Sequence, residues 1–485
     1  MQQIDCSMSH KYHTVRPVSN PELPQLFMET YGCQMNVNDS EVVVSVMQAA
    51  GFALCEQMEQ ADVILVNTCS IRDNAEQRVW GRINAFRPYK KTKPGLRVGI
   101  LGCMAERLKE ELLQHPMVDL VAGPDAYRQL PQLFKELLGG SKQIDTRFNH
   151  EETYADISPI RLDKNGVSAY VSIMRGCNNM CSYCVVPFVR GRERSRDPQS
   201  IEREVAELVA NGYKEVSLLG QNVDSYHWVD PNNPTHSVNF AQLLEIMALV
   251  DPQLRLRFST SHPKDMGNGV LYTMAMYPNI CHHIHLPVQS GSNHMLKKMN
   301  RKYTRESYLE RIAKIREILP DCAITSDFIA GFCDETPEDH AETLSLMREV
   351  GYEQSFMFQY SERPDTKAAK MFQDNVPEAV KTERLNEIIA LQNQLSLESN
   401  QRDLGKVFEV LVEGPSKRSD AEYFGRTPQN KVCVFPREGC QVGDYVQVKV
   451  ERCSSATLMG QIATPETPAR PLSKLLSHFS KTDKN

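Results

Sequence analysis

Three apolar runs of strand length each end in a cysteine: "LFMETYGC" at Cys33, "DVILVNTC" at Cys69 and "LRVGILGC" at Cys103. Helical patterns lie between them. After the first run, Asn38 offers an N-cap with Glu41 three residues on, followed by "VVVSVMQAA" and a stop at Gly51. After the second comes the amphipathic "NAEQRVWGRINAF". Strands alternating with helices predict a parallel α/β sheet. In such a sheet the loops after the strand C-terminal ends share one edge, where ligands sit. Three cysteines far apart in sequence are therefore expected on one edge. A single buried cysteine is commonly core packing, but packing alone does not explain the same position three times.

Two further segments differ in pattern. From about 163 to 397 there are six strand-like runs, "AYVSIMRGC", "EVSLLGQNV", "LRFSTSHP", "HIHLPVQSGS", "AITSDFIAGF" and "QSFMFQYSERP". Helical stretches such as "SIEREVAELVANG" separate them, and Thr336 with Pro337 reads as an N-cap and N1 pair. Six β/α units predict a partial (β/α)6 barrel with its chemistry at the strand C-terminal ends. From about 400 to 463 the runs shorten to "KVFEVLVEG", "KVCVFP", "DYVQVKVERC" and "TLMGQIA", punctuated by glycines, which predicts a small antiparallel β-barrel. The expected organisation is an arm over 1–23, an α/β domain over 24–140, the partial barrel over 163–397, the small barrel over 400–463 and a disordered tail over 464–485.

The stretch "MRGCNNMCSYC" carries Cys177, Cys181 and Cys184 as C-x₃-C-x₂-C, directly after a predicted strand. Thiolates suit iron–sulfur clusters and zinc alike. A closed zinc site would need a fourth ligand nearby, and Asp197 lies well beyond a tight knuckle. A four-iron cube held by three thiolates keeps one iron open, where a chelating amino and carboxylate pair can bind. Fourteen cysteines in 485 residues without an apolar leader at the N-terminus favour ligation over a disulfide framework. The longest apolar runs fall far short of a membrane span. A net charge of −6 excludes coating nucleic acid by bulk charge, while leaving room for a local basic surface.

"GCNNMCSYCVVPFVRGRERSR", with the aromatic Tyr183 before the third cysteine, resembles the cluster loop of the radical-SAM methylthiotransferases. The three-part order is similar to theirs: an N-terminal domain with three cysteines, a radical-SAM barrel and a C-terminal TRAM barrel. The resemblance spans about 24 to 463. Within the family, the arginine-rich exit is similar to the MiaB type, which acts on tRNA, more than to the type acting on a ribosomal protein. It implies a [4Fe-4S] cluster with S-adenosylmethionine at Cys177, Cys181 and Cys184, and a second [4Fe-4S] cluster at Cys33, Cys69 and Cys103. The implied reaction converts N6-isopentenyladenosine beside the anticodon to its 2-methylthio form. A 5′-deoxyadenosyl radical would remove the C2 hydrogen, with sulfur insertion and S-methylation to follow. The implied partners are tRNA with an isopentenylated adenosine and a low-potential donor of flavodoxin or ferredoxin type, in the cytoplasm and without a membrane. Methylthiolation of another modified adenosine or of a ribosomal-protein side chain, and a non-catalytic iron–sulfur RNA-binding scaffold, are the competing readings.

Other candidates follow from position. Gln221, Gln289, Ser290 and Asp327 fall at predicted strand ends, where polar residues contact a cofactor or merely cap a turn. Arg190, Arg192, Arg194 and Arg196 alternate along "VRGRERSR", a pattern that fits phosphate contact or pairing to carboxylates within the fold. Lys417, Arg418 and Arg426, with Tyr423 and Phe424, cluster in one loop region as candidate RNA contacts.

Overall fold

The computed structural model describes residues 20–70, 73–163 and 165–463; residues 1–19 of the expected arm and the tail from 464 lie outside the described residues. The N-terminal sheet has six parallel strands: β1 (Gln25–Thr30), β2 (Ala53–Leu54), β3 (Val63–Thr68), β4 (Arg97–Gly102), β5 (Leu120–Ala122) and β6 (Gln143–Asp145), in the spatial order β2-β1-β3-β4-β5-β6. β3 is buried at every position, as its unbroken apolar run requires when helices cover both faces. β1, β3 and β4 are neighbours, and pairing of Thr30 with Asn67 and of Thr68 with Gly102 sets their ends level. The sheet runs past residue 140: β6 completes it, and Tyr154, Ile157 and Ile160 pack in its core.

The first helix, Gln34–Ala49, starts earlier than expected, with Cys33 rather than Asn38 as its N-cap. The chain turns into helix directly after β1 because Asn36 fastens the turn to the neighbouring loop. Its Nδ2 donates to Thr68 O at 2.9 Å and Asn67 Nδ2 donates back to Asn36 O at 2.9 Å. Asn38 is buried inside the helix and donates to Tyr170 O in the next domain.

The six expected barrel strands are present as Ser168–Ser172, Glu215–Leu219, Arg255–Ser259, His283–His285, Ala323–Ala330 and Gln354–Gln359. They pair in parallel as two three-stranded sheets, joined at a Leu256–Ile280 bridge. Among the described residues no ladder joins the first strand to the last, so the barrel is partial. Helices Pro198–Ala210, Phe240–Val250, Asn268–Met276, Arg305–Ile318, Pro337–Val350 and Glu378–Gln401 follow the strands in turn. Thr336 caps its helix with a capping box to Asp339 and Pro337 at the first turn, and Asp197 caps Pro198–Ala210.

Five strands, Val407–Ser416, Ser419–Arg426, Val432–Pro436, Leu458–Ile462 and Tyr445–Cys453, close in that order into the C-terminal barrel. All neighbours are antiparallel except Val432–Pro436 with Leu458–Ile462. This unit covers the N-terminal mouth of the larger barrel. Tyr445 Oη lies 2.8 Å from Lys214 O and 3.1 Å from Gln253 O, each just ahead of a barrel strand. Arg255 and Arg257 donate to Arg426 O (2.7 Å) and Thr427 O (2.8 Å).

Buried ion pairs join the N-terminal sheet to the larger barrel. Asp39, in the first helix, accepts from Arg175 Nη1 at 2.8 Å and Arg190 Nη2 at 2.9 Å. Asp125 takes a fork from Arg194, both contacts at 2.9 Å. Arg161 bridges Glu41 (2.8 Å) and Glu204 (2.5 Å), and Arg196 also pairs with Glu204. Burial on its own would raise the Asp39 pKa, but Arg175 and Arg190 outweigh it and hold the carboxyl below its usual range. Removing one partner of such a group strands the others without compensation. Asp39→Ala is therefore expected to destabilise the protein by roughly 3–5 kcal/mol, read as a lower urea midpoint for loss of near-ultraviolet circular dichroism. An unchanged midpoint would show that this seam does not hold the domains.

Candidate active site

The ends of β1, β3 and β4 bring Cys33, Cys69 and Cys103 to one edge. Cys33 caps the first helix, Cys69 follows β3, and Cys103 opens the helix Cys103–Leu108. The loops press closely: at Gly32, with φ +127°, a Cβ would stand 2.4 Å from the Cβ of Cys69. Thr68 Oγ1 donates to Leu101 O at 2.6 Å, tying the end of β3 to β4. The Cys33 pKa is lowered to about 6, chiefly by a hydrogen bond from the Cys69 side chain. The Arg190 charge and the amides of Asn36 and Met35 add to this against burial. Burial pushes the Cys103 thiol up.

Cys177, Cys181 and Cys184 lie on a loop closed at its base, where Met174–Arg175 pairs antiparallel with Arg194–Ser195. Gly176 enters the loop at φ +77°, and a Cβ there would stand 2.0 Å from Arg192 O. Arg301, buried, clamps the loop from the barrel: Nη1 donates to Cys181 Sγ and Tyr183 Oη, both at 3.3 Å, and Nη2 to Pro287 O at 2.7 Å. Ser182 is bonded to Met299 O (3.0 Å) and Lys298 O (2.8 Å). Burial pushes the Cys177 and Cys184 thiols up to about 12, so the deprotonated set needs a cationic centre to hold it. Among the described residues no three His, Cys, Asp or Glu close tightly on a single metal ion. A four-iron cube is wider than one ion, so its thiolates stand further apart. A soft, three-thiolate donor set on a closed loop fits such a cube.

Next to this loop the second and third barrel strands end in buried polar atoms without a hydrogen-bond partner: Gln221 Oε1, Asn222 Oδ1 and His262 Nε2. Asn222 Nδ2 and Asn179 Nδ2 both donate to Asp265 Oδ2, at 2.7 and 3.2 Å, tying this rim to the cysteine loop. The His262 ring meets Tyr303 edge-on, and burial followed by the Arg301 charge keeps its imidazole neutral, with a pKa lowered to about 2. Two orphan amide oxygens, with the His262 Nε2–H as a donor because Nδ1 accepts from Lys264 N at 3.2 Å, fit a polar cofactor such as S-adenosylmethionine.

The four sequence candidates for the cofactor divide. Gln221 stands on this rim. Gln289 is buried, with φ +76°, and its backbone bridges to Phe328. Asp327 faces His285 at 3.5 Å inside the barrel. Ser290 does not point into the barrel: it is fully buried with its Oγ 3.2 Å from Thr343 Oγ1 on the covering helix. Asn222, His262 and Arg301 were not singled out from sequence. Asn222 adjoins Gln221 in "LLGQN", a readable signal, whereas Arg301 sits in "MNRKY" with nothing to mark it.

The arginine run departs furthest from expectation. Arg190, Arg194 and Arg196 are buried in the ion pairs above and are closed to phosphates; Arg192 is exposed. In the small barrel, Lys417 and Arg418 are exposed at a hairpin turn, while Arg426 pairs with Glu413 at 2.5 Å and Tyr423 belongs to the core.

The two cysteine sets adjoin. Cys103 packs on Val185 and Val189, just past the Cys184 loop, and Arg190 reaches the N-terminal site. Residues 171–347 match the radical SAM superfamily, 25–123 the uncharacterized protein family UPF0004 and 401–463 the TRAM domain. Among solved structures, a radical S-adenosylmethionine methyltransferase, TsrM from Kitasatospora setae, matches with a TM-score of 0.53 at 13% identity, over 81% of this chain and 79% of that one. That likeness shows the fold. A three-cysteine loop on such a barrel defines a radical S-adenosylmethionine enzyme. The tRNA-2-methylthio-N(6)-dimethylallyladenosine synthase of Amoebophilus asiaticus is 57% identical over 92% of this chain and 94% of its own length. Those of Bacteroides thetaiotaomicron (58%, over 90% and 96%) and Porphyromonas gingivalis (52%, over 93% and 97%) are similar. The chain belongs to the family of tRNA-2-methylthio-N(6)-dimethylallyladenosine synthases.

The thiol environments make a direct prediction for the metal-free chain. Iodoacetamide is expected to label Cys33 ahead of Cys177 and Cys184, its rate rising through about pH 6 as the thiolate forms, while Cys177 and Cys184 stay protonated and slow. Peptide mapping at pH 7 that finds Cys177 or Cys184 labelled ahead of Cys33 would contradict these environments.

Proposed function

We propose that this enzyme converts N6-isopentenyladenosine next to the anticodon of tRNA to its 2-methylthio derivative, in the cytoplasm. The observation that carries the reading is the meeting of two three-cysteine sites across Cys103, Val185 and Val189. An aromatic C2–H bond yields to no histidine or carboxylate at neutral pH, so the reaction calls for a radical source with sulfur beside it. When bound, S-adenosylmethionine and two [4Fe-4S] clusters supply the 5′-deoxyadenosyl radical, the sulfur and the methyl group.

The chain's own residues have separable tasks in this reading. Cys177, Cys181 and Cys184 hold the radical-generating cluster, and Arg301 fixes the loop by donating to Cys181 Sγ and Pro287 O. Cys33, Cys69 and Cys103 hold the second cluster. Gln221, Asn222 and His262 turn unpaired polar atoms toward the cofactor. Inside the barrel, Phe356 is 48% exposed beside the His285 ring and offers an aromatic face to the base. Arg192, Lys417 and Arg418 are exposed cations available to the RNA backbone. An anticodon-loop base is already partly unstacked, so extracting it costs less than from a duplex. Electrons come from a low-potential donor of flavodoxin or ferredoxin type. No helix among the described residues is long and apolar enough to cross a membrane.

Anaerobic reconstitution is expected to give about eight irons per chain, two four-iron clusters, and dithionite with S-adenosylmethionine to release 5′-deoxyadenosine. Cys181→Ala should abolish that release. Cys69→Ala should retain it and lose the 2-methylthio nucleoside, as measured by nucleoside analysis of isopentenylated tRNA. Thiolation persisting in Cys69→Ala would remove the N-terminal cysteines from the reaction.

A further inference from the structure

Arg190 belongs to the barrel domain's cysteine loop yet is spent in the N-terminal domain. It is 3% exposed, and its Nη2 donates to Asp39 at 2.9 Å. Its Nη1 is buried with no hydrogen-bond partner. An unpaired guanidinium N–H in a protein interior is costly and calls for an acceptor. The local charge count says the same. Asp39 and Asp125, two carboxylates, face Arg175, Arg190 and Arg194, three guanidinium groups, so the carboxylates leave one positive charge for the sulfur side of the site. Arg175 spends both Nη atoms, on Asp39 Oδ1 and on Pro124 O, and Arg194 forks on Asp125. Of the three, Arg190 is the one whose neighbour in sequence, Val189, packs on Cys103, which sets its guanidinium beside the N-terminal cysteines, and its charge lowers the pKa of both Cys33 and Cys103.

We propose that Arg190 is the cationic wall of the Cys33–Cys69–Cys103 site, donating its free Nη1–H to the anionic sulfur held there. The inference rests on the assignment of a cluster to those cysteines. The sulfur is a ligand thiolate, a sulfide of the cluster, or a small thiolate on its open iron; each is an anion that a guanidinium N–H stabilises. Arg190 is thus a positioning residue. It favours the more negative, reduced cluster and raises the affinity for an added thiolate. It also makes the N-terminal site composite, because one wall is delivered by the segment that leaves the other cysteine loop. A domain cut free of the barrel would have the three thiols without the charge that balances them.

The test uses reconstituted full-length protein carrying Cys181→Ala, so that the N-terminal cluster alone is read. Arg190→Gln is expected to shift its reduction potential to more negative values, by redox titration monitored with electron paramagnetic resonance. Methanethiolate binding, followed in the same spectra, should weaken about tenfold, the loss of one charge-assisted hydrogen bond. Arg190→Lys should fall between the two, and Arg175→Gln, which loosens the same Asp39 without facing the thiols, should leave methanethiolate affinity unchanged. Unchanged potential and affinity in Arg190→Gln, or an equal loss in Arg175→Gln, would overturn the inference. If Arg190→Gln takes up no iron, parent and Arg190→Lys are compared: a few-fold weaker binding supports the fixed fork, and equal binding overturns it. Failure of the Cys181→Ala parent itself to load about four irons would instead overturn the cluster assignment.

Discussion

Asp39 is the point on which the two halves of the active site turn. It lies in the first helix, six residues after Cys33, and accepts from arginines on both sides of the Cys177 loop, Arg175 before it and Arg190 after it. One buried carboxylate therefore sets the distance between the N-terminal cysteines and the barrel's cysteines. Buried ion pairs contribute little net stability, because desolvation offsets most of the attraction. Their effect is geometric: a fork-shaped donor on a fully buried acceptor tolerates little displacement. The same logic repeats outward in Arg194 on Asp125, and in the alternating chain Glu41–Arg161–Glu204–Arg196 that ties the first helix to the first barrel helix. Two sites that must exchange an atom touch through the apolar Cys103–Val185–Val189 contact and are held in register by the charges around it.

Most of the architecture was legible in the sequence because periodicity and position carry it. Three apolar runs ending in cysteine specified neighbouring strand ends, and β1, β3 and β4 are neighbours. Six strand–helix alternations specified the partial barrel, and the shift to short extended runs after 400 specified a small barrel but only four of its five strands: the expected loop "SKRSDAEYFGR" holds the strand Ser419–Arg426, paired on both sides. What could not be read was pairing across long separations. Arginines alternating in "VRGRERSR" look alike whether they face phosphate or buried carboxylates; the deciding partners are Asp39, 151 residues from Arg190, and Asp125, 69 residues from Arg194. Ser290 failed for a related reason, since the side chain of a strand-end residue can turn to the covering helix as readily as into the barrel. The early helix start at Cys33 depended on Asn36 bonding to a loop more than thirty residues away.

The two cysteine sets differ in how far the protein prepares them. Cys33 is already acidic, stabilised by the Cys69 side chain, the helix start and Arg190. Cys177 and Cys184 are held as neutral thiols by burial, with their pKa values near 12. Metal ligation must release those protons, so the cysteine loop gains its charge balance only with a cluster present. Arg301 Nη2 on Pro287 O, Ser182 N on Met299 O and Ser182 Oγ on Lys298 O keep the loop in shape meanwhile, and none of these bonds involves a thiol. The N-terminal site, by contrast, carries a built-in cation. That asymmetry matches a division in which one centre passes electrons to a cofactor and the other holds anionic sulfur.

The small barrel closes one route into the larger one. Tyr445, Thr427 and Arg426 meet the larger barrel where its strands begin, and Arg255 and Arg257 spend their guanidinium groups on that contact. The N-terminal mouth is thereby covered, and the unpartnered polar atoms of Gln221, Asn222 and His262 sit at the other end. With one mouth covered, and with Asn38 and Arg161 bonded to Tyr170 O on the edge of the first strand, the barrel's polar interior is left facing the cysteine end. Phe356, the most exposed aromatic on the inner face of the last strand, stands with His285 and Asp327. The exposed cations Lys417 and Arg418 lie on the domain that covers the opposite mouth. Only a ligand long enough to touch both ends of the barrel could use both surfaces at once, a requirement that a tRNA meets and a free nucleoside does not.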